Sequence, residues 1–131
     1  MSKYKRIQTQ IKDENLLRQA LDDVGLPFEQ GEGLALFGWR GRRRRETAEF
    51  VIRRRHIGSY ANDLGFHRLD DGSFEAVISE YDRRGRGQEI LDQVKQRYAY
   101  QAVCQKAQAK GYTVVEQPGD DGVIRLQLRA Y

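Results

Sequence analysis

An α+β fold is predicted by this sequence: a single antiparallel sheet in the order β-α-β-β-β-β-α-β-β, with two helices packed on one face. Three observations predict it. Several segments alternate apolar and polar residues with a period of two, the pattern of strands with one covered face. Alternation rather than continuous apolarity favours antiparallel strands over a doubly covered parallel sheet. Two longer segments repeat their apolar residues at helical spacing and end on glycine.

Residues 4–12 place Ile7, Thr9 and Ile11 on one side and Arg6, Gln8, Gln10 and Lys12 on the other, which predicts the first strand. Asp13 suits an N-cap, and Leu16, Leu17, Ala20, Leu21 and Val24 then share one helical face. Gly25 and Pro27 end that helix. After the turn-rich 28-FEQGEG-33, the stretch 34-LALFGW-39 reads as a short strand. The arginine-rich 40-RGRRRR-45 reads as a connection to the strand 46-ETAEFVIRRR-55. There Ala48, Phe50 and Ile52 alternate with Thr47, Glu49, Val51 and Arg53.

The segment 63–81 punctuates itself as a hairpin, because glycine in Asp71-Gly72 reaches positive φ without a Cβ clash. On its return strand Phe74, Ala76 and Ile78 alternate with Glu75, Val77 and Ser79. A basic loop, 82-DRRGRG-87, leads into a long helix over roughly 88–111. Ile90, Leu91, Val94, Tyr98, Ala102 and Ala109 fall on one stripe; Tyr100, Val103 and Ala107 fall nearly opposite. After Gly111, the stretches 112-YTVVEQ-117 and 123-VIRLQLRAY-131 form a closing hairpin, with Ile124, Leu126, Leu128 and Ala130 facing one way.

At 131 residues the chain is long enough to close one core, so a single domain over residues 1–131 is expected. Its mean hydropathy of −0.78 is hydrophilic, but the apolar residues are periodic, which argues against disorder. The longest apolar runs, such as 34-LALF-37, are far too short to span a bilayer, and no membrane role is expected. The start, 1-MSKYKRIQTQIK-12, lacks the apolar centre of an export signal, and the lone Cys104 has no disulfide partner within the chain. A cytoplasmic location is expected. The net charge of +4 favours anionic partners without demanding them. Its distribution says more: residues 38–56 hold eight arginines, and Arg83, Arg84 and Arg86 form a second group.

Three local patterns carry a resemblance to a known family. They are 63-DLGF-66 with its Asp-Gly turn and 74-FEAV-77, the helix segment 96-QRYAYQAV-103, and the ending 121-DGVIRLQLRAY-131. With the opening 4-YKRIQTQIKD-13, the chain resembles, over nearly its whole length, the family of hypothetical chloroplast reading-frame protein thirty-five, found in red-algal plastids and cyanobacteria. The resemblance implies a lineage and no reaction, because that family has no assigned catalytic residues. This chain departs from the plastid pattern in its dense arginines and in having fewer aromatics before the long helix.

Metal and nucleophile chemistry finds little support in the spacing. His56, His67 and Cys104 form no CxxC, HxxxH or HExxH pattern, so no metal, cofactor or catalytic residue is assigned. The pairs Asp70–Asp71 and Asp120–Asp121 sit in hairpin turns, where aspartate caps backbone N–H groups. Glu80 and Asp82 read as carboxylates neutralised by Arg83 and Arg84. The glycines of 38-GWRGR-42 and 85-GRG-87 match no phosphate-loop fingerprint. However, Arg83, Arg84 and Arg86 stand before a helix N-terminus, where free N–H groups and the dipole favour an anion.

The main candidate is the run Arg40, Arg42, Arg43, Arg44 and Arg45. Its bland reading is a solvated connection whose charge protects a sheet edge. Its functional reading is a grip on carboxylate or phosphate, for which guanidinium is well shaped. Phe37 and Trp39 suit either base stacking or a core. Tyr100 and Val103 are the candidate protein interface, on a helix face with no evident cover. The resulting expectation is a non-enzymatic adaptor that docks onto an acidic surface of a larger protein complex through its basic loops and long helix. Nucleic-acid binding by Arg40–Arg45 is the alternative, and an enzyme ranks third. The sequence leaves the oligomeric state open.

Overall fold

The computed structural model describes residues 3–80, 85–118 and 124–130. Its elements follow the expected order: β1 (Tyr4–Gln8), α1 (Glu14–Val24), β2 (Glu29–Phe37), β3 (Arg43–Ile52), β4 (Leu64–Arg68), β5 (Phe74–Ser79), α2 (Arg86–Ala109), β6 (Tyr112–Pro118) and β7 (Ile124–Ala130). Short 3-10 turns lie at Trp39–Gly41 and Arg54–His56. The fold is α+β, and every strand pair is antiparallel.

One expectation needs correction. The strands form two sheets, not one: a five-stranded sheet in the order β1-β5-β4-β3-β2, and a two-stranded sheet of β6 and β7. The closing hairpin satisfies its own backbone in an unbroken ladder from Tyr112↔Ala130 to Pro118↔Ile124. Period-two alternation shows that a segment is a strand; it does not say which sheet the strand joins. The chain divides into two compact units, Met1–Tyr98 and Ala99–Tyr131.

In the first unit, both helices contribute to one face of the large sheet. Leu17, Ala20 and Leu21 of α1 and Ile90, Leu91 and Val94 of α2 share a buried cluster with Phe50, Ile52, Leu64, Phe66, Phe74, Ala76 and Ile78. Phe50 and Phe74 meet edge to face with centroids 5.8 Å apart, a favoured aromatic geometry. The local signals explain the helix ends. Asp13 accepts a hydrogen bond from Leu16 N at 3.1 Å, and Gly25 turns left-handed at φ 84°. Tyr98, in the middle of the QRYAY segment, accepts from the backbone N–H groups of Lys12 and Asp13 through its hydroxyl, each at 3.1 Å. That pair of bonds ties α2 to the junction of β1 and α1.

The second face of the sheet is also covered in part. Leu36, Ala48, Val51 and Val77 form a smaller buried cluster flanked by Tyr4 and Leu34. Ala48 therefore does not share a face with Phe50, as simple alternation predicts. The β2–β3 ladder breaks register between Gln30 and Leu34, and Leu36 and Ala48 close on Gly65 of β4. Gly65 of β4 permits this approach, since a Cβ there would sit 2.7 Å from Ala48 Cβ. Glu75, Val77 and Ser79, expected on an open face, are consequently buried.

A candidate anion-binding groove

The loop that carries the arginines is built on two buried polar residues, Asn62 and Asp63. The Asp63 carboxylate accepts from Phe37 N at 2.8 Å, Arg54 N at 2.7 Å and Arg53 Nη1 at 2.8 Å. Asn62 Oδ1 accepts from Trp39 N at 2.9 Å, and Tyr4 donates its hydroxyl to Asp63 O at 2.8 Å. The entry to the Trp39–Gly41 turn is thus held. Arg40 within it adopts a left-handed φ of 68°, uncommon for a residue with a Cβ.

Within this frame the arginines divide into two groups. Arg53 is structural: it chelates Glu29 at 2.7 and 3.0 Å and reaches Asp63. Hydrogen bonding to Glu29 first, and Asp63 beside it, push the Arg53 guanidinium further above its ordinary range; the same bond holds the Glu29 carboxyl below its own. Arg54 donates to Ala61 O at 3.1 Å. Arg43, Arg44 and Arg45 are not in a connection, as the sequence suggests, but stand on β3 itself. There they meet β1. Lys3, Tyr4, Arg6, Arg43, Arg44, Arg45 and Glu46 line a groove of about 520 Å³.

Five cationic side chains face one carboxylate in that groove. Arg6 is ion-paired with Glu75, and the Arg44 guanidinium lies 5.7 Å from the Tyr4 ring centroid. Among the described residues, Arg43 and Arg45 meet no carboxylate. Glu46 Oε2 is buried without a hydrogen-bond partner among those residues. Such a surface repels itself, and a bound anion relieves the repulsion. Spacing along the chain did not reveal Lys3, Tyr4, Arg6 or Glu46 as groove residues. The one sequence signal for the first three is the basic start of β1, 3-KYKR-6.

The remaining candidates lie elsewhere. Arg40 stacks on Trp39 with its guanidinium 4.3 Å from the ring centroid, and Trp39 lies 6.0 Å from Tyr60. Trp39 and Tyr60 are both exposed, so Trp39 is not a core residue. Arg42 ends the 3-10 turn just before β3. Arg86 opens α2, earlier than the expected start near residue 88, and lies 3.7 Å from Glu89. Arg83 and Arg84 lie outside the described residues.

His67 Nδ1 lies 3.3 Å from Glu49 Oε1 without hydrogen-bond geometry. Among the described residues, no group of three His, Cys, Asp or Glu side chains is placed to hold a metal ion. On α2 in the second unit, Val103 is exposed, whereas Tyr100 is half-buried and engaged in an intramolecular interaction. Ala107 is buried and Ala109 exposed, the reverse of the expected stripe. No helix among the described residues is long and apolar enough to cross a membrane.

Comparison with known proteins agrees with the resemblance seen in the sequence. Residues 20–127 match the family described as "Protein of unknown function (DUF1257)". The "Uncharacterized protein ycf35" of Pyropia yezoensis is 28% identical over 132 residues, covering 100% of this chain and 98% of the relative. The protein of the same name from Cyanophora paradoxa is 26% identical over 137 residues, with the same coverage. No solved structure matches the chain.

Proposed function

We propose that this chain, which belongs to the DUF1257 family of proteins of unknown function, is a non-enzymatic adaptor that docks in the cytoplasm onto an acidic surface of a larger protein assembly. One observation carries the reading: a groove lined by five cations, two of which, Arg43 and Arg45, meet no carboxylate of the chain's own among the described residues. Guanidinium offers a planar fork of donors to a carboxylate, so a segment rich in aspartate or glutamate fits it. Exposed Val103 on α2 is proposed as a second contact.

A second reading, single-stranded nucleic acid, draws on two exposed rings that meet: Trp39, in the loop that carries Arg40 and Arg42, and Tyr60, in the connection before β4. Bases stack on such rings. Calorimetric titration with a polyglutamate peptide and with a single-stranded oligonucleotide separates the two. The adaptor reading expects peptide binding that weakens about tenfold or more in Arg43→Ala/Arg45→Ala, a loss of roughly 1.4 kcal/mol or more. Preferential binding of the oligonucleotide, steeply salt-dependent and lost in Trp39→Ala, would transfer the function to the second reading. If neither ligand binds, the groove is only a solvated surface.

A further inference from the structure

The groove is continuous with an open sheet edge. β1 is the terminal strand of the large sheet, and among the described residues no strand pairs with its outer side. Lys3 O accepts from Glu80 N at 2.8 Å, which makes Lys3 and Glu80 a hydrogen-bonded pair. Antiparallel ladders alternate, so Lys5 and Ile7 also turn their backbone groups inward, towards Ile78 and Ala76 of β5. Tyr4, Arg6 and Gln8 must then turn their N–H and C=O groups outward. Two of these three, Tyr4 and Arg6, also line the basic groove.

Natural sheets protect their edges, and the two edges here are treated differently. The β2–β3 ladder has register shifts between Gln30 and Leu34 and between Ala35 and Phe37, irregularities that discourage further pairing. The β1–β5 ladder runs from Tyr4↔Ser79 to Gln8↔Glu75 without a break. Among the described residues, its protection is the charge of Lys3, Lys5 and Arg6. Positive charge repels another basic edge but attracts an acidic strand. The device that prevents indiscriminate pairing therefore selects one kind of partner.

From this we infer that the partner docks by strand addition: an extended acidic segment pairs antiparallel with β1 and places every second side chain in the groove beside Arg43–Arg45. The inference rests on the docking reading above and adds the backbone conformation of the ligand. Residues directly opposite Tyr4 and Arg6 would be those that exchange backbone hydrogen bonds with them. Cross-strand neighbours also point to the same face, so those residues are the ones that carry carboxylates into the groove. Backbone bonds would supply affinity and the carboxylates specificity and register, the usual division in strand addition.

The probe is a blocked peptide of about eight residues alternating glutamate with threonine. Two isomers accompany it, one N-methylated on the glutamates and one on the threonines. The intact peptide is expected to bind. Methylation of the glutamates is expected to lower affinity by about tenfold or more, whereas methylation of the threonines, whose N–H groups face away, leaves it within about twofold. On binding, the amides of Tyr4, Arg6 and Gln8 should become protected from hydrogen exchange. Gln8→Pro, which removes an outward N–H without touching the ladder to β5, should also weaken binding.

Loss confined to the threonine-methylated isomer would overturn the antiparallel pairing and assign a parallel strand instead. Equal affinity of the two methylated isomers, with binding still dependent on Arg43 and Arg45, would overturn strand addition and leave the docking reading intact. If the intact peptide does not bind and an oligonucleotide does, both fall. Self-association of the free chain, abolished by Gln8→Pro, would assign the edge to a second copy and overturn the inference.

Discussion

Replacing Asp63 with alanine tests the frame beneath the groove most directly. The Asp63 side chain is 1% exposed and receives two backbone N–H groups and one guanidinium N–H, all within 2.8 Å. Each bond to a charged acceptor is worth ~1.5–3 kcal/mol, and bonds within one network do not add. Arg53 keeps Glu29, so its charge is not orphaned; Phe37 N and Arg54 N lose the carboxylate that accepts from them. The expected loss is therefore ~3–5 kcal/mol, set by the two backbone N–H bonds to a charged acceptor that have no replacement. Urea unfolding reads it as a midpoint lowered by roughly 2 M at a slope of ~2 kcal/mol/M. Asp63→Asn, which retains one acceptor oxygen, should fall between wild type and Asp63→Ala. In an Arg53→Met background the same substitution should cost less, because one of its three donors has already gone. A loss below about 1 kcal/mol would refute the reasoning, since water must then satisfy both N–H groups. The same variant, kept below its unfolding transition, should also bind the acidic peptide more weakly, because Asp63 and Asn62 hold the turn that feeds β3.

Other substitutions probe separate links. Gly65→Ala inserts a Cβ 2.7 Å from Ala48 Cβ and should cost ~1–3 kcal/mol in the same unfolding assay. Tyr98→Phe leaves Lys12 N and Asp13 N without their acceptor, in a partly exposed setting, for a cost of ~1–2 kcal/mol. The Glu29 carboxyl is held below its ordinary value of 4.5 by Arg53, so its contribution is fully present above pH 4.5 and fades as pH falls through the lowered value. The difference in melting temperature between wild type and Glu29→Gln should accordingly close in acid. Val103→Glu changes an exposed side chain, and it should leave the melting temperature unchanged while weakening the proposed assembly.

Much of the fold was legible because its signals are local. The cap at Asp13, the left-handed stop at Gly25 and the Asp-Gly turn each act within a few residues, and all three are found where the sequence places them. The element order was equally readable from periodicity. Two features were not. The separation of β6–β7 depends on pairing partners, which alternation does not encode. The cover on the second face depends on the missing side chain of Gly65 admitting Leu36 and Ala48, a long-range fit. The site divides in the same way. Arg43, Arg44 and Arg45 stood out by density, but their place on a strand did not, because an arginine run reads as a loop. Arg53 looked like one more arginine of the cluster, yet Glu29 and Asp63 claim it from positions 24 and 10 residues away.

The groove exists because the β2–β3 hairpin does not stay in the plane of its sheet. In the strand order, β5 and β4 separate β1 from β3, so a flat sheet would hold Arg43–Arg45 apart from Lys3 and Arg6. The hairpin start lies over the second face instead, through Leu36 and Ala48 above Gly65, and brings Arg44 to the ring of Tyr4. Folding thus assembles a concentration of positive charge that costs the chain self-repulsion. Arg6 has a carboxylate partner in Glu75, and Arg53 has two; Arg43 and Arg45, at the same groove, have none among the described residues. Among the described residues, carboxylates pair Arg6 and Arg53 but leave exposed Arg43 and Arg45 unmatched at a groove beside an unbroken strand edge. That contrast, between arginines matched within the fold and arginines offered at its rim, is the physical ground for reading the groove as a place where an acidic partner completes the charge balance.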